Sequence, residues 1–232
     1  MKKFGVVVFI FALVAGLILA NMFSFGRFRE QFFHINLGSG VTGSGNIIND
    51  RRDVSGFNGV DVGGIFKVEA TSQKDYSVEV QVDDNLAPMV KTEVRSGILH
   101  IELDGHVKSR GPILVRISAP DFESIEASGA SNVTVGDLRN EEISVSSSGA
   151  SKISLSGETA KLTVEVSGAS NINATDLKAV DANVEASGAS HVDVFSTGKL
   201  YADASGASRI TYSGSPMSVD RKTSGASSVS GK

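Results

Sequence analysis

The chain has 232 residues, a formal net charge of −4, 25 glycines, 4 prolines, and neither cysteine nor tryptophan. That length allows a sizeable core, the missing cysteine excludes disulfides, thiolate chemistry and a lipid-anchor cysteine, and the acidic balance argues against a nucleic-acid partner. Many glycines, few prolines and regularly spaced apolar residues exclude a collagen-like or disordered chain.

Lys2 and Lys3 precede an uncharged apolar run from Phe4 to Ala20. As a helix it reaches roughly 26 Å, and with Asn21 to Phe25 about the 30 Å of a bilayer core. Residues 1–25 are therefore predicted to form an N-terminal hydrophobic helix that meets the membrane, either an uncleaved signal anchor or a cleaved signal peptide. Ala20 offers a cleavage site, although Ile18 stands where a small residue is preferred. A buried amino-terminal helix is the third reading. Residues 26–36, with Phe28, Phe32 and Phe33, read as a stem.

Residues 37–120 form a β-rich first half. Phe57–Ala70, Tyr76–Val82, Val90–Val94, Ile98–Leu103 and Ile113–Pro120 alternate apolar and polar residues, the period of a half-buried sheet. Segments such as "SQKD", "RSG" and "DGHVKSRG" supply turns between them.

From residue 121 to 232 the rhythm becomes a repeat. The element "SGAS" recurs with its glycine at Gly129, Gly149, Gly168, Gly188, Gly206 and Gly225. A unit of about 19 residues cannot bury its own apolar side, and stacking solves that problem. The reading is all-β: a parallel β-helix-like solenoid of about 19-residue coils, preceded by the β-rich half and the hydrophobic helix. Val133, Ile153, Ile172, Val192, Ile210 and Val229 then form one interior column, and Val164, Val184 and Ala202 belong to a second. Glycine, free to adopt positive φ, makes the bend. The alanines of SGAS are expected where the coil is pinched, with the serines at the flanks, so that Gly168→Val is damaging and Ser170→Ala mild.

Two outward columns carry the candidate surface ladder: Glu165, Glu185 and Asp203, three residues before their glycines, and Asn171, His191 and Arg209, three after. Stacked carboxylates repel mildly unless hydrated or bridged. They read as a solvated acidic flank in preference to a divalent-cation site, because the calcium-binding repeat pattern is absent.

The stretches Val41–Ala70, Val80–Leu103 and Ile113–Val135, followed in order by the repeats, resemble the auto-transporter adhesin head domain family, also called the head GIN domain, of secreted and envelope proteins of bacteria. The resemblance implies stacked coils of β-structure and an adhesion-related role, and it carries over no catalytic set. Where the family has "SGSG" or "SGAG", this chain has "VGG" (Val62–Gly64) and then uniformly "SGAS".

Chemistry is sparse elsewhere. His100 and His106 adjoin and allow a two-histidine metal site, but a strand-face and a loop histidine explain them as well. Neither "GGIFK" nor "GSGN" sits between a strand and a helix as a phosphate-binding loop requires. The expected function is that of a non-enzymatic envelope protein without cofactor. Its head is adhesin-like or structural, binds envelope glycan or protein surfaces, and lies outside the cytoplasm, anchored or secreted. The alternative is a carbohydrate-active enzyme on a β-helical scaffold, which needs a focused carboxylate pair. The last coil lacks a cap in sequence, so either self-association, end to end or lateral, or cover from the first half is expected.

Overall fold

A computed structural model describes residues 40–232. The expectations for the hydrophobic segment and the stem fall outside the described residues.

Eighteen strands follow in chain order. The first nine are β1 (Val41–Thr42), β2 (Ile47–Arg52), β3 (Gly59–Gly64), β4 (Phe66–Thr71), β5 (Ser77–Asp83), β6 (Val90–Arg95), β7 (Ile98–Leu103), β8 (Val107–Lys108) and β9 (Ile113–Ser118). The repeats supply β10 (Ser124–Gly129), β11 (Asn132–Ser147), β12 (Lys152–Val166), β13 (Asn171–Ala186), β14 (His191–Ser196), β15 (Lys199–Ala204), β16 (Arg209–Gly214), β17 (Ser218–Thr223) and β18 (Ser228–Gly231). They build the parallel β-solenoid that the repeat predicts.

Each coil lays one strand segment on a first face, turns at SGAS, and lays the next on a second face. On the first face the rungs run β7, β3, β10, the end of β11, the end of β12, the end of β13, β15 and β17. On the second they run β9, β4, the start of β11, the start of β12, the start of β13, β14, β16 and β18. A short third side pairs Leu138–Asn140 with Gly157–Thr159, and those with Leu177–Ala179. Register shifts lie between the second face and this third side, at Val135/Leu138, Ser154/Ser156 and Ala174/Lys178. The unequal coil lengths are thus absorbed away from the two long faces.

Chain order and stacking order part company in the first half. The chain enters at the β3/β4 rung, drops to the β7/β9 rung beneath it, and returns above both as β10. Pairing therefore runs continuously from Gly59 to the last rung. The outer side of β7 is closed by antiparallel β6, and that of β9 by antiparallel β5, which β2 then covers. The strands left at those edges are charged: Asp50, Arg51 and Arg52 on β2, Lys91, Glu93 and Arg95 on β6. Charge on an edge discourages pairing with another chain.

The core follows the same gradient. Phe57, Phe66 and Phe122 are fully buried at the closed end, with Phe57 and Phe122 ring centroids 6.5 Å apart. Farther up, the interior is thinner. Val133, Ile153, Ile172, Val192 and Ile210 are all 0% exposed, as are Val164, Val184 and Ala202, whereas Val229 in the last coil is only partly buried. Both interior columns stand where the sequence pattern puts them.

The SGAS corner differs from expectation in one respect. Its glycines have φ between +72° and +87°, and their carbonyls accept the next coil's alanine N–H: Ala150 to Gly129 at 2.8 Å, Ala207 to Gly188 at 2.7 Å, and Ala130 to Gly64 at 2.8 Å. A Cβ on Gly149 would stand 2.5 Å from the Gly129 carbonyl oxygen, so each glycine is required twice, by φ and by stacking. The alanines, however, are exposed: Ala130, Ala150, Ala169, Ala189 and Ala207 all face solvent. The buried small residue is the second serine. Ser131, Ser151, Ser170 and Ser190 are 2% exposed and Ser208 1%. The physical reason is carbonyl satisfaction, because the tight turn leaves inward carbonyls that a methyl cannot pair. Ser208 Oγ donates to Ser205 O (2.8 Å) and Ala186 O (3.0 Å), Ser190 Oγ to Ser187 O (2.8 Å), and Ser131 Oγ to Gly64 O (3.1 Å). "VGG" supplies the rung below the first SGAS, with Gly64 under Gly129.

Candidate binding surface

Strand alternation and parallel register turn every outward position into a column with rungs about 4.8 Å apart. On the first face Glu165 pairs with Glu185 and Glu185 with Asp203. The column continues downward through Ser146, Glu126, Asp61 and His100, and upward to Lys222. On the second face Asn171, His191 and Arg209 are in register, preceded by Lys67, Asn132 and Lys152. The six predicted ladder residues therefore form two aligned columns flanking the SGAS corner, the first acidic, the second basic and amide-rich.

Two members escaped the sequence. Asp61 stands three residues before Gly64, so the spacing rule reaches it once "VGG" is taken as a rung. His100 has no such marker, since it arrives by the chain doubling back. It meets Asp61 at 3.0 Å between Nδ1 and Oδ2. The nearby His106 joins no such contact through its ring, and its backbone carbonyl accepts the Val41 N–H.

A shallow groove of about 500 Å³ follows the acidic column, lined by Glu165, Glu185 and Asp203 and by Ser146, Ser167, Ser187 and Ser205. Glu165 and Glu185 are solvent-exposed and Asp203 is half-buried. At the groove's upper end Lys222 Nζ lies 3.1 Å from Tyr201 Oη and 5.0 Å from its ring centroid, while Tyr201 Oη donates to Asp203 at 3.4 Å. The hydrogen bond to Tyr201 is the leading cause that raises the Lys222 ammonium above its ordinary range, followed by charge attraction. On the second face Asp193 receives His191 Nε2 at 3.0 Å and Lys232 Nζ at 3.1 Å.

A glycosidase needs two carboxyl groups in different environments on either side of the scissile bond. The rung spacing does bring the ladder carboxylates close, but they point from one column in one direction and do not face each other across a cleft. Among the described residues no group of three or more His, Asp or Glu side chains is arranged to hold a metal ion.

The sequence profile of the family described as "Putative auto-transporter adhesin, head GIN domain" matches residues 56–216. The chain belongs to this family. It is accordingly an adhesin-like, non-catalytic head domain of a bacterial cell-envelope protein. A "putative adhesin" from Bacteroides fragilis NCTC 9343 shares the solenoid fold, with a TM-score of 0.69 and 20% identity over 83% of this chain and 100% of that one. More distant are a "putative adhesin" from Parabacteroides merdae ATCC 43184 (TM-score 0.49, 17% identity, covering 83% and 98%) and a "putative lipid binding protein" from Parabacteroides distasonis ATCC 8503 (TM-score 0.49, 19% identity, covering 83% and 99%). Among curated proteins, none matches this chain.

Proposed function

We propose that the head attaches to an envelope glycan or protein through the two columns beside the SGAS corner, and that it is held outside the cytoplasm by the hydrophobic segment 1–25 and a stem over 26–36. The observation that carries the proposal is register: Glu165, Glu185 and Asp203 repeat a carboxylate over successive rungs, and Asn171, His191 and Arg209 align as polar and basic groups on the rungs across the corner. A periodic display suits a long or periodic partner, because contacts that are weak alone add along its length. Tyr201, beside Asp203 and Asn183, gives this face an aromatic ring of the kind that glycan and protein partners pack against.

The reading implies graded energetics. Replacing both Glu185 and Asp203 with Gln removes two rungs among several and leaves attachment largely intact, lowered only a few-fold. Replacing Asp61, Glu126, Glu165, Glu185 and Asp203 together with their amides lowers it by more than tenfold. Surface-attachment assays on cells carrying each variant, with thermal unfolding to confirm the fold, decide the matter. Complete loss from the double variant would show a focused site instead. No loss from the fivefold variant would remove the acidic column from the interface.

A further inference from the structure

The open end of the stack carries a charge where every lower rung carries an apolar side chain. In one interior column of the first face, the register partners are Leu99, Val60, Ile125, Val145, Val164, Val184 and Ala202. All seven are 0–1% exposed. The next residue in that column is Arg221 of β17, and it is exposed. Val219 and Thr223, the inward neighbours on the same strand, continue the columns of Leu200 and Ala204. The arginine thus interrupts an otherwise regular interior at its last rung. Among the described strands, β17 pairs only with β15 and β18 only with β16, so no described strand covers the outer edge of either.

We infer that Arg221 is an end-stop that keeps this open rung from pairing with the end of a second copy of the chain. Any rung stacked on β17 would enclose the guanidinium, and removing an unpaired ion from water costs several kilocalories per mole. The other end of a second copy offers no parallel edge, because β5, β2 and β6 close it with antiparallel, charged strands. Two open ends could meet only about a two-fold axis, with the β17 strands antiparallel and inward side chains aligned. The register that sets Asp220 opposite Lys222 of the second copy also sets the two Arg221 side chains opposite each other in the core. Sliding by two residues separates the arginines but brings Asp220, or in the other direction Lys222, against its own equivalent. All three registers bury both guanidinium groups. Inward-pointing charge on an edge strand is a known protection against edge-to-edge association. It answers the sequence-based expectation of end-to-end pairing by a local device, not by a cap.

The test uses the full chain in mild detergent, comparing wild type, Arg221→Val, which restores the residue found at Val184, and Lys222→Val, which adds the same side chain to the outward face of the same strand. Sedimentation equilibrium is expected to show Arg221→Val self-associating about a hundredfold more tightly than wild type, with concentration-dependent amide protection confined to β17 and β18. Lys222→Val is expected to behave as wild type. An Arg221→Val chain that keeps the wild-type mass, or loses amide protection in its last rung, overturns the inference. So does equal association by Lys222→Val, or a wild type whose own β17 amides become protected as concentration rises.

Discussion

Ser170 and Gly168 stand two positions apart in one corner, yet each answers a different demand. Gly168 has φ +82°, and a Cβ there would run into the Gly149 carbonyl oxygen. Gly168→Val is expected to cost roughly 2–4 kcal/mol from left-handed strain and overlap together, measured by urea unfolding. Ser170 is buried and its hydroxyl lies 3.4 Å from both Gly149 O and Ser167 O, so Ser170→Ala is expected to cost about 1 kcal/mol, more than a surface change but less than the glycine. Ser147 offers the opposite case. Its Oγ is buried without a partner in a column shared with Ala127, Val166, Ala186 and Ala204. Ser147→Ala is therefore expected to be neutral or to stabilise by up to about 1 kcal/mol. The glycine's role was legible in the repeat, since of the residue types at the corner only glycine takes positive φ without strain. Which of Ala and Ser faces inward was not, because the two are alike in size and the strand's in-and-out alternation is broken at the turn itself.

At the scale of strands, the repeats revealed which outward residues align, since the register shifts that absorb unequal coil lengths fall beside the third side and leave both long faces in step. The first half hid its contribution: β3/β4 and β7/β9 are rungs of the same stack, but they lack the SGAS marker and occur in the opposite order along the chain. A second feature that the sequence did not announce is the clasp of residues 43–46 on the turn after β5. Asp83 is fully buried and accepts the Gly45 N–H at 2.6 Å and Ser109 Oγ at 3.2 Å. Asp84 accepts Ser44 Oγ at 2.5 Å, Asn46 Nδ2 at 2.9 Å and the Asn85 N–H at 2.7 Å. Those bonds, Ser44 first and Asn46 next, hold the Asp84 carboxyl below its ordinary value of 3.8. A depressed carboxylate contributes stability that is complete above its unfolded pKa and is lost as pH falls through its folded one. The clasp should therefore stay closed at neutral pH and loosen below about pH 4. Amide protection at Ser44 and Asn46, taken relative to the intrinsic exchange rate at each pH, is expected to fall only on that acid side, and Asp84→Asn to reduce the fall.

Over the whole molecule, the two ends are built differently. Large aromatic side chains and antiparallel strands close one end, while the other tapers through Ala202 and Ala204 to an exposed last rung. In a stack where each coil touches only its neighbours, opening is expected to begin at the open end. Native-state amide exchange should rise progressively from the aromatic end toward β17 and β18. Such a body is a ruler of nearly identical rungs, which is why its family membership and its periodic surface point to attachment by summed contacts. The measurement that tests this most directly is the attachment of cells bearing wild type, the Glu185→Gln/Asp203→Gln pair and the fivefold amide variant, each shown to keep its thermal unfolding transition. The account expects a graded series, a few-fold loss and then a loss above tenfold; an all-or-none response at the pair, or none even to the fivefold change, would contradict it.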